Sequence, residues 1–294
     1  MSFGETKTEV FRPDDNTKLM TYAWLPKKDI KAVFIAVHGG LAHAGDWVTP
    51  ALFFKEKGVA TYAFDLRYHG TYPQYNPGGR LYFHTTSYDD SVADLHAFHE
   101  WVHEKHPGVP IFVLSHSNGA LISMKYALST AKNTKIKGFV ISSPWLKNKV
   151  KVPAVVQKIS KLIAAVHPTF AIKPPSLADQ LTHDKKITAR HYADEAAGLR
   201  GTKVTAKLGV ESEKTQSWVI DNIKNWERFP VFAVLAGKDA LADANASKQA
   251  LQKIPESLLT LMMHDKNFHE NFNEVNRNET FVAIWKWVQK HTVQ

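Results

Sequence analysis

The sequence predicts an α/β fold: a mostly parallel, doubly wound sheet with a helical cap inserted after its sixth strand. Three observations predict it. From residue 31 to 144, short apolar runs alternate with helix-like segments; the alternation returns after residue 229; and residues 145–228 interrupt it with helical, Lys-rich sequence broken by Pro153, Pro168, Pro174 and Pro175. Near-continuous runs of β-branched and aromatic residues are the mark of strands buried on both faces. Strand, helix, strand repetition then calls for right-handed crossovers. The expected division is a core of residues 1–144 and 229–294, with a cap of 145–228 over the carboxyl edge of the sheet, where open α/β sheets bind ligands.

Taken in order, "KAVFIAV" (31–37) is a strand leading into a Gly-rich turn, and "VATYAFDL" (59–66) is the next. A helix starts near Thr86 or Ser87, carries Asp89 and Asp90 in its first turn, and spaces Val92, Leu95, Phe98 and Val102 along one face. Pro107 and Gly108 end it. "IFVLS" (111–115) is a strand, followed by a turn and a helix whose candidate core positions are Leu121, Ile122, Met124 and Leu128; "IKGFVIS" (136–142) is the strand after that. Beyond the insertion come the strand "PVFAVLAG", the helix "DANASKQALQKI", the strand "SLLTLMMH" and the helix "NETFVAIWKWVQ", which places Phe281, Ile284, Trp285 and Val288 on one face.

A chain of 294 residues with 44% hydrophobic and 11% aromatic content can bury one large core, or a core plus a smaller appendage. The absence of cysteine excludes disulfides, thiolate zinc sites and a Cys nucleophile, and suits a reducing compartment. The first twenty residues resemble neither a secretory signal nor a myristoylation site. Apolar runs such as "AVFIAV" fall far short of the roughly 20 residues of a membrane span. The expectation is a soluble, cytoplasmic protein.

Net charge is +9, from 37 Lys and Arg against 28 Asp and Glu, yet no nucleic-acid-binding motif accompanies it, so no nucleic-acid partner is expected. The excess is concentrated. Between Trp145 and Leu177 stand Lys147, Lys149, Lys151, Lys158, Lys161 and Lys173 with no acid. Two readings follow: a solvated basic face, or a peripheral contact with an anionic membrane.

The stretch "IFVLSHSNGAL" (111–121) carries the chemistry. A strand, a sharp turn and a helix start can present a nucleophile beside free backbone N–H groups and the positive end of a helix dipole. Small residues must stand two positions to either side of the nucleophile, because a larger side chain there collides with a neighbouring element. Ser115 and Gly119 satisfy this around Ser117, whereas Val113 fails it for Ser115.

Four blocks then resemble the α/β-hydrolase superfamily, and within it the monoacylglycerol lipase, lysophospholipase and serine aminopeptidase group. "HGGLAHAGDW" (38–47) resembles the HG-x-G-x-H-x-x-[RY]-[YW] block, "FDLRYHGTYP" (64–73) resembles D-x-R-G-H-G-x-S, "LSHSNGA" resembles G-H-S-M-G-G, and "HENFNE" (269–274) resembles H-E-x-x-N-E. The resemblance implies the α/β-hydrolase fold, a Ser117, Asp239, His269 triad, and an oxyanion hole from the backbone N–H groups of Gly40 and Asn118, with no cofactor and no metal. The substrate it implies is a small ester or lipid, chiefly a single-chain ester such as a monoacylglycerol or lysophospholipid. Asp243 is the rival acid, placed where the next helix should start, and His264 the rival base, at a strand end. His38, His43, His69 and His116 are expected to shape turns or bond the backbone. The chain departs from the pattern at Leu41, Tyr68 and Ser115, each of which replaces a glycine. Val155, Ile159, Leu162 and Val166, at helical spacing, either pack the cap onto the sheet or line an acyl tunnel.

Other classes compete with this reading. An aminopeptidase or amidase could use the same triad, and a non-catalytic interaction protein could retain the scaffold. "HEWVH" (99–103) matches the H-E-x-x-H of zinc proteases, but Gly is absent at 106 and no Glu falls between Glu104 and Glu195, so the usual third ligands are missing. The helix carrying it is expected on the outside of the sheet, away from the carboxyl edge.

Overall fold

A computed structural model describes residues 2–72 and 82–292. Eight strands form its main sheet: β1 (Lys7–Phe11), β2 (Leu19–Trp24), β3 (Ala32–Val37), β4 (Val59–Phe64), β5 (Ile111–His116), β6 (Ile136–Ser142), β7 (Val231–Ala236) and β8 (Leu259–His264), in the order β1-β2-β4-β3-β5-β6-β7-β8. The six strands from β4 to β8 along the sheet run parallel, while β1 pairs antiparallel with β2 and β2 antiparallel with β4. The parallel strands match the expected apolar runs. The antiparallel pair does not, because β1 ("KTEVF") is an edge strand with mostly exposed polar side chains and so lacks the apolar signal.

All six residues of β3 are buried, which explains its unbroken hydrophobicity. Val33, Ile35 and Val37 face one layer with Leu95, Phe98 and Leu121; Ala32, Phe34 and Ala36 face the other with Phe54, Phe281 and Ile284. Helices supply both layers: α1 (Val48–Glu56), α2 (Tyr88–Lys105), α3 (Asn118–Ser129), α7 (Ala244–Leu251) and α8 (Arg277–Thr292), numbered in chain order with α4, α5 and α6 kept for the insertion. Helix α2 starts where the acids and Ser87 place it, the Ser87 side chain accepting from the Asp89 N–H, and it buries Val92, Leu95, Phe98 and Val102. In α8 the buried face includes Trp287, with Trp285 only partly covered. Gly138 makes room for it, since a Cβ there would stand 2.6 Å from the Trp287 ring.

The segment between β6 and β7 contains α4 (Ala154–Val166), α5 (Lys185–Ala196) and α6 (Ala206–Asn222). Its short strands Ala171–Ile172 and Lys203–Thr205 join Tyr82–Phe83 in a separate three-stranded sheet. One expectation is corrected here. Val155, Ile159, Leu162 and Val166 neither pack on the sheet nor line a tunnel; they are 62%, 50%, 71% and 85% exposed. Helix α4 packs against α6 and buries Ala164, leaving the apolar stripe outward. Helical spacing shows which side chains share a face, and only the tertiary fold decides what that face meets.

Candidate active site

Ser117 sits in the turn between β5 and α3 with φ 53° and ψ −116°, a left-handed conformation that costs a non-glycine residue about 1–3 kcal/mol. Its surroundings impose it. The Ser117 N–H donates to the Ser142 carbonyl at 3.0 Å, and its own carbonyl accepts from Leu121 at 3.1 Å and Trp145 at 3.2 Å. Gly119 is required by close approach: a Cβ there would lie 2.1 Å from the Val37 carbonyl oxygen and 2.5 Å from that of His38. Ser115 is sealed within the sheet between Val37 and Ile141, donating from its Oγ to the Val140 carbonyl. The small-flank argument therefore has a physical basis on both sides of Ser117.

Two loops at the same sheet edge bring the acid and the imidazole together. Asp239 follows β7 and His269 follows β8, and His269 Nδ1 lies 2.7 Å from Asp239 Oδ2 with both side chains buried. Asp239 Oδ1 accepts from the backbone N–H groups of Leu241 and Ala242 at 2.8 and 2.9 Å. Burial pushes the Asp239 carboxyl up, but the adjacent His269 and these donors outweigh it and hold it below its ordinary value. A carboxylate only accepts, so Nδ1 carries the proton and Nε2 is left free. The His269 ring stands 4.6 Å from the ring of His116, the neighbour of Ser117. Ser117 makes no side-chain hydrogen bond among the described residues; such bonds in unliganded sites often tighten only when substrate binds.

The turn after β3 runs against the elbow, a Cβ on Gly39 falling 3.3 Å from Ser117 Cβ. Gly40 lies under the Phe83 ring, which a Cβ would meet at 2.1 Å. Asn118 opens α3, so its N–H has no preceding helical carbonyl to bond. The Asn118 side chain is fixed by the Tyr88 hydroxyl, which donates to Oδ1 at 2.6 Å.

The rivals take other duties. Asp243 caps α7 by accepting from the Ala246 N–H, and His264 Nε2 lies 2.8 Å from Thr280 Oγ1. His38 and His69 bond backbone as expected, through Gly39 and Leu66 for the first and Arg67 for the second. His43 accepts from the Gly45 N–H and also meets Asp194. Burial drives the imidazole of His116 down to about 3 and that of His69 to about 4, with the neighbouring His269 adding to the effect on His116. Leu41 and Tyr68, two of the three departures from glycine, have φ values of 60° and 67°. A side chain at either position carries the strain that glycine avoids. Pro73, the end of the second resembling block, lies outside the described residues.

A protein-family model described as "Serine aminopeptidase, S33" matches residues 28–276. The chain belongs to this hydrolase family. The hydrolase is 23% identical over 271 residues to a monoacylglycerol lipase of Mycolicibacterium smegmatis, covering 91% of each chain. It is 22% identical to a phospholipase of Bacillus subtilis, covering 89% of its own length and 96% of the relative's. It spans only 28% of a longer Dictyostelium discoideum relative, an uncharacterized abhydrolase domain-containing protein to which it is 24% identical over 94% of its own length. Among solved structures, a monoacylglycerol lipase of Paleococcus ferrophilus superposes with a TM-score of 0.78 at 21% identity, covering 96% of this chain and 99% of that one. The fold is the α/β-hydrolase fold.

In this hydrolase the other residues of "HENFNE" are a scaffold that motif reading left unassigned. Asn271 donates to Ser143 Oγ at 3.0 Å, and Ser143 Oγ donates to the His269 carbonyl at 2.8 Å. Glu274, fully buried, accepts from the Phe268 and His183 N–H groups. Asn273 donates to Glu270, which also meets His191 Nε2 at 2.8 Å. Arg200, from the insertion, binds Asp46 and lies 3.8 Å from Glu270, and His191 joins them. Burial works against both carboxylates, yet Arg200 and the adjacent imidazoles hold each well below its ordinary range. Asp46, Glu270 and Asn273, together with His38, Gly39, Trp47 and His116, line a small cavity beside the elbow. Only the unusual run of polar residues after His269 signalled it in the sequence.

Proposed function

We propose that the protein is a serine hydrolase of carboxylic esters that works through an acyl-enzyme on Ser117. The observation that carries this reading is the buried Asp239–His269 pair at 2.7 Å, seated beside a strained serine elbow. Ser117 Oγ attacks the ester carbonyl as His269 Nε2 takes its proton. The carbonyl oxygen, now anionic, is held by the N–H groups of Gly40 and Asn118. The intermediate collapses, the leaving alkoxide receives the proton from His269, and water repeats the sequence to release the acid. Asp239 orients the imidazole and stabilises it when charged. The chemistry uses the chain's own groups throughout and needs neither cofactor nor metal.

The substrates proposed are single-acyl-chain lipids, either monoacylglycerols or lysophospholipids, in keeping with relatives named monoacylglycerol lipase and phospholipase. Residues 145–228 act as the cap over Ser117. An amidase or aminopeptidase reading has less support, because Arg200 already neutralises Asp46 and Glu270, the acids nearest the site that a free amine would need. Ten of the sixteen exposed large hydrophobic side chains among the described residues fall between Val150 and Leu177, interleaved with the exposed Lys151, Lys158, Lys161 and Lys173. That mixture of exposed apolar and basic side chains favours peripheral docking of the cap on anionic lipid. Among the described residues, no helix is long and apolar enough to cross a membrane.

The test is a panel of p-nitrophenyl esters, monoacylglycerols, lysophospholipids and aminoacyl amides, run with wild type and Ser117→Ala. Wild type should turn over single-chain esters fastest and react with a fluorophosphonate probe. Ser117→Ala should do neither, and retained turnover or labelling in it would overturn the assignment. For the docking face, binding to anionic liposomes should fall as salt rises; binding that is absent, or indifferent to salt, rejects it.

A further inference from the structure

The H-E-x-x-H run on α2 is absorbed neither by the fold nor by the proposed chemistry. The usual third ligands of zinc proteases are missing from the sequence, yet the helix places a different donor beside the pair. His96, His99, Glu100 and His103 fall at intervals of three, one and three residues, which lays them along one stripe of α2. His96, His99 and Glu100 each offer a ligand atom, and these atoms all lie within 4.8 Å of one another. His99 Nδ1 is 2.9 Å from Glu100 Oε1.

The side chains in this stripe are short of partners. His99 is 1% exposed; its Nδ1 has only the exposed Glu100 carboxylate beside it, and its Nε2, like the buried His103 Nδ1, has no hydrogen-bond partner among the described residues. A buried ring nitrogen without a partner forfeits about 1–3 kcal/mol, a loss that a bound ion would recover. His96 meets the other requirement of a metal ligand, since its Nδ1 lies 3.2 Å from the hydroxyl of Tyr126 on α3. This fixes the ring and leaves Nε2 available, the outer-shell support that ligating histidines generally have.

We infer that His96, His99 and Glu100 form a zinc site on α2, separate from the ester-cleaving site. Two imidazoles and one carboxylate are a common zinc donor set, with bonds of about 2.0–2.2 Å and a remaining position open to water or to His103. Drawing three atoms from within 4.8 Å to the separations of a tetrahedral ion needs only side-chain movement on one rigid helix. The second cluster of the chain, His43, Asp46 and Asp194, is already served by cations, with Arg200 bonded to Asp46 and Arg190 within 3.7 Å of it. Among the described residues, no Lys or Arg forms an ion pair with Glu100 of the α2 cluster. It lies eight to twelve residues along the helix from Tyr88, the residue that anchors Asn118, or about 12–18 Å by helical rise. Its effect is therefore on the stability of the α2–α3 pair.

The experiment uses the full chain without a histidine tag, stripped with chelator, in equilibrium dialysis against zinc chloride with metal analysis. Wild type should take up one zinc per chain at micromolar free zinc, and its melting temperature should rise with zinc by mass action. Glu100→Ala and His96→Ala, at positions that are not fully buried, should bind at least about tenfold more weakly and lose the zinc-dependent rise. No stoichiometric uptake by wild type overturns the inference. So does uptake unchanged in both variants, which would place the ion on others of the fifteen histidines.

Discussion

The loop after β8 and helix α4 are both rich in residues that a motif search reads as functional, and they meet opposite environments. From His269 to Glu274 every side chain is buried and each polar one is hydrogen-bonded, Asn273 to Glu270 within the loop and the others to core or insertion partners. Helix α4 turns Val155, Ile159, Leu162 and Val166 to the outside. Polar residues inside and apolar residues outside both invert the usual arrangement, and each inversion costs free energy that folding alone does not require. That cost points to function in both regions, but of different kinds. The buried loop holds one imidazole in place, while the exposed face is, in the proposed function, a docking surface for lipid.

Substitutions can break or sharpen the contrast. The largest effect expected is from Asp239→Asn, which keeps the shape but supplies a donor where His269 Nδ1 already donates; kcat should fall on the order of 10⁴-fold with little change in melting temperature. Near-normal turnover of esters would remove Asp239 from the site. Gly119→Ala is next. Its Cβ would press on backbone rather than a movable side chain, and a loss of about 3 kcal/mol in denaturant unfolding is expected, at the upper end of overpacking costs.

Acid should act on the same buried region. His69 and His116 have folded pKa values of about 4 and about 3, so between these and the ordinary value of 6.5 the unfolded chain binds protons that the folded chain refuses. Stability is full above pH 6.5 and declines as pH falls, by about 1.4 kcal/mol per unit for each such ring. His38, also lowered by burial, adds to this, and His43, raised by Asp46 and Asp194 despite its burial, opposes it. A net loss on the order of 3–4 kcal/mol from pH 6.5 to pH 5 is expected; a denaturation midpoint that holds or rises on acidification contradicts it.

Smaller still is Leu41→Gly. It relieves a left-handed residue worth about 1–2 kcal/mol and loosens the unfolded chain by about 0.5–1, for a net gain under about 1 kcal/mol. Last, Leu162→Gln on α4 should shift stability by no more than about 0.5 kcal/mol, as for an exposed site, while reducing retention on anionic liposomes. A large destabilisation there would mean that the face is covered by the chain itself, and the contrast between the two regions would fail.

The legibility of the sequence follows the same divide. Strands covered on both faces announce themselves by composition, so β3 to β7 were readable, as was α2 from its cap and spacing; β8, an edge strand only partly buried, was readable from its apolar run. β1, the opposite edge strand, and β2 beside it form the antiparallel end of the sheet, and β1 has too little burial to pattern its residues. The elbow was readable because sterics limit what can flank Ser117, a limit now visible as the clash awaiting any Cβ at Gly119. The partners of the loop from His269 to Glu274, beyond Asp239, were not. Ser143, His183, His191 and Arg200 come from 70 to 126 residues away, and nothing local in the chain ties them to that loop.

Arg200 deserves a last consequence. Glu270 and Glu274 flank the proposed general base and are neutralised or satisfied in large part by His183, His191 and Arg200, all of them from the insertion. An engineer seeking a smaller enzyme by trimming residues 145–228 would strand two buried carboxylates next to His269 and a third at Asp46. The part that can be exchanged is the stretch from Val150 to Leu177, which shows solvent most of its apolar side chains; the stretch from Thr182 to Arg200 is, in structural terms, already part of the core.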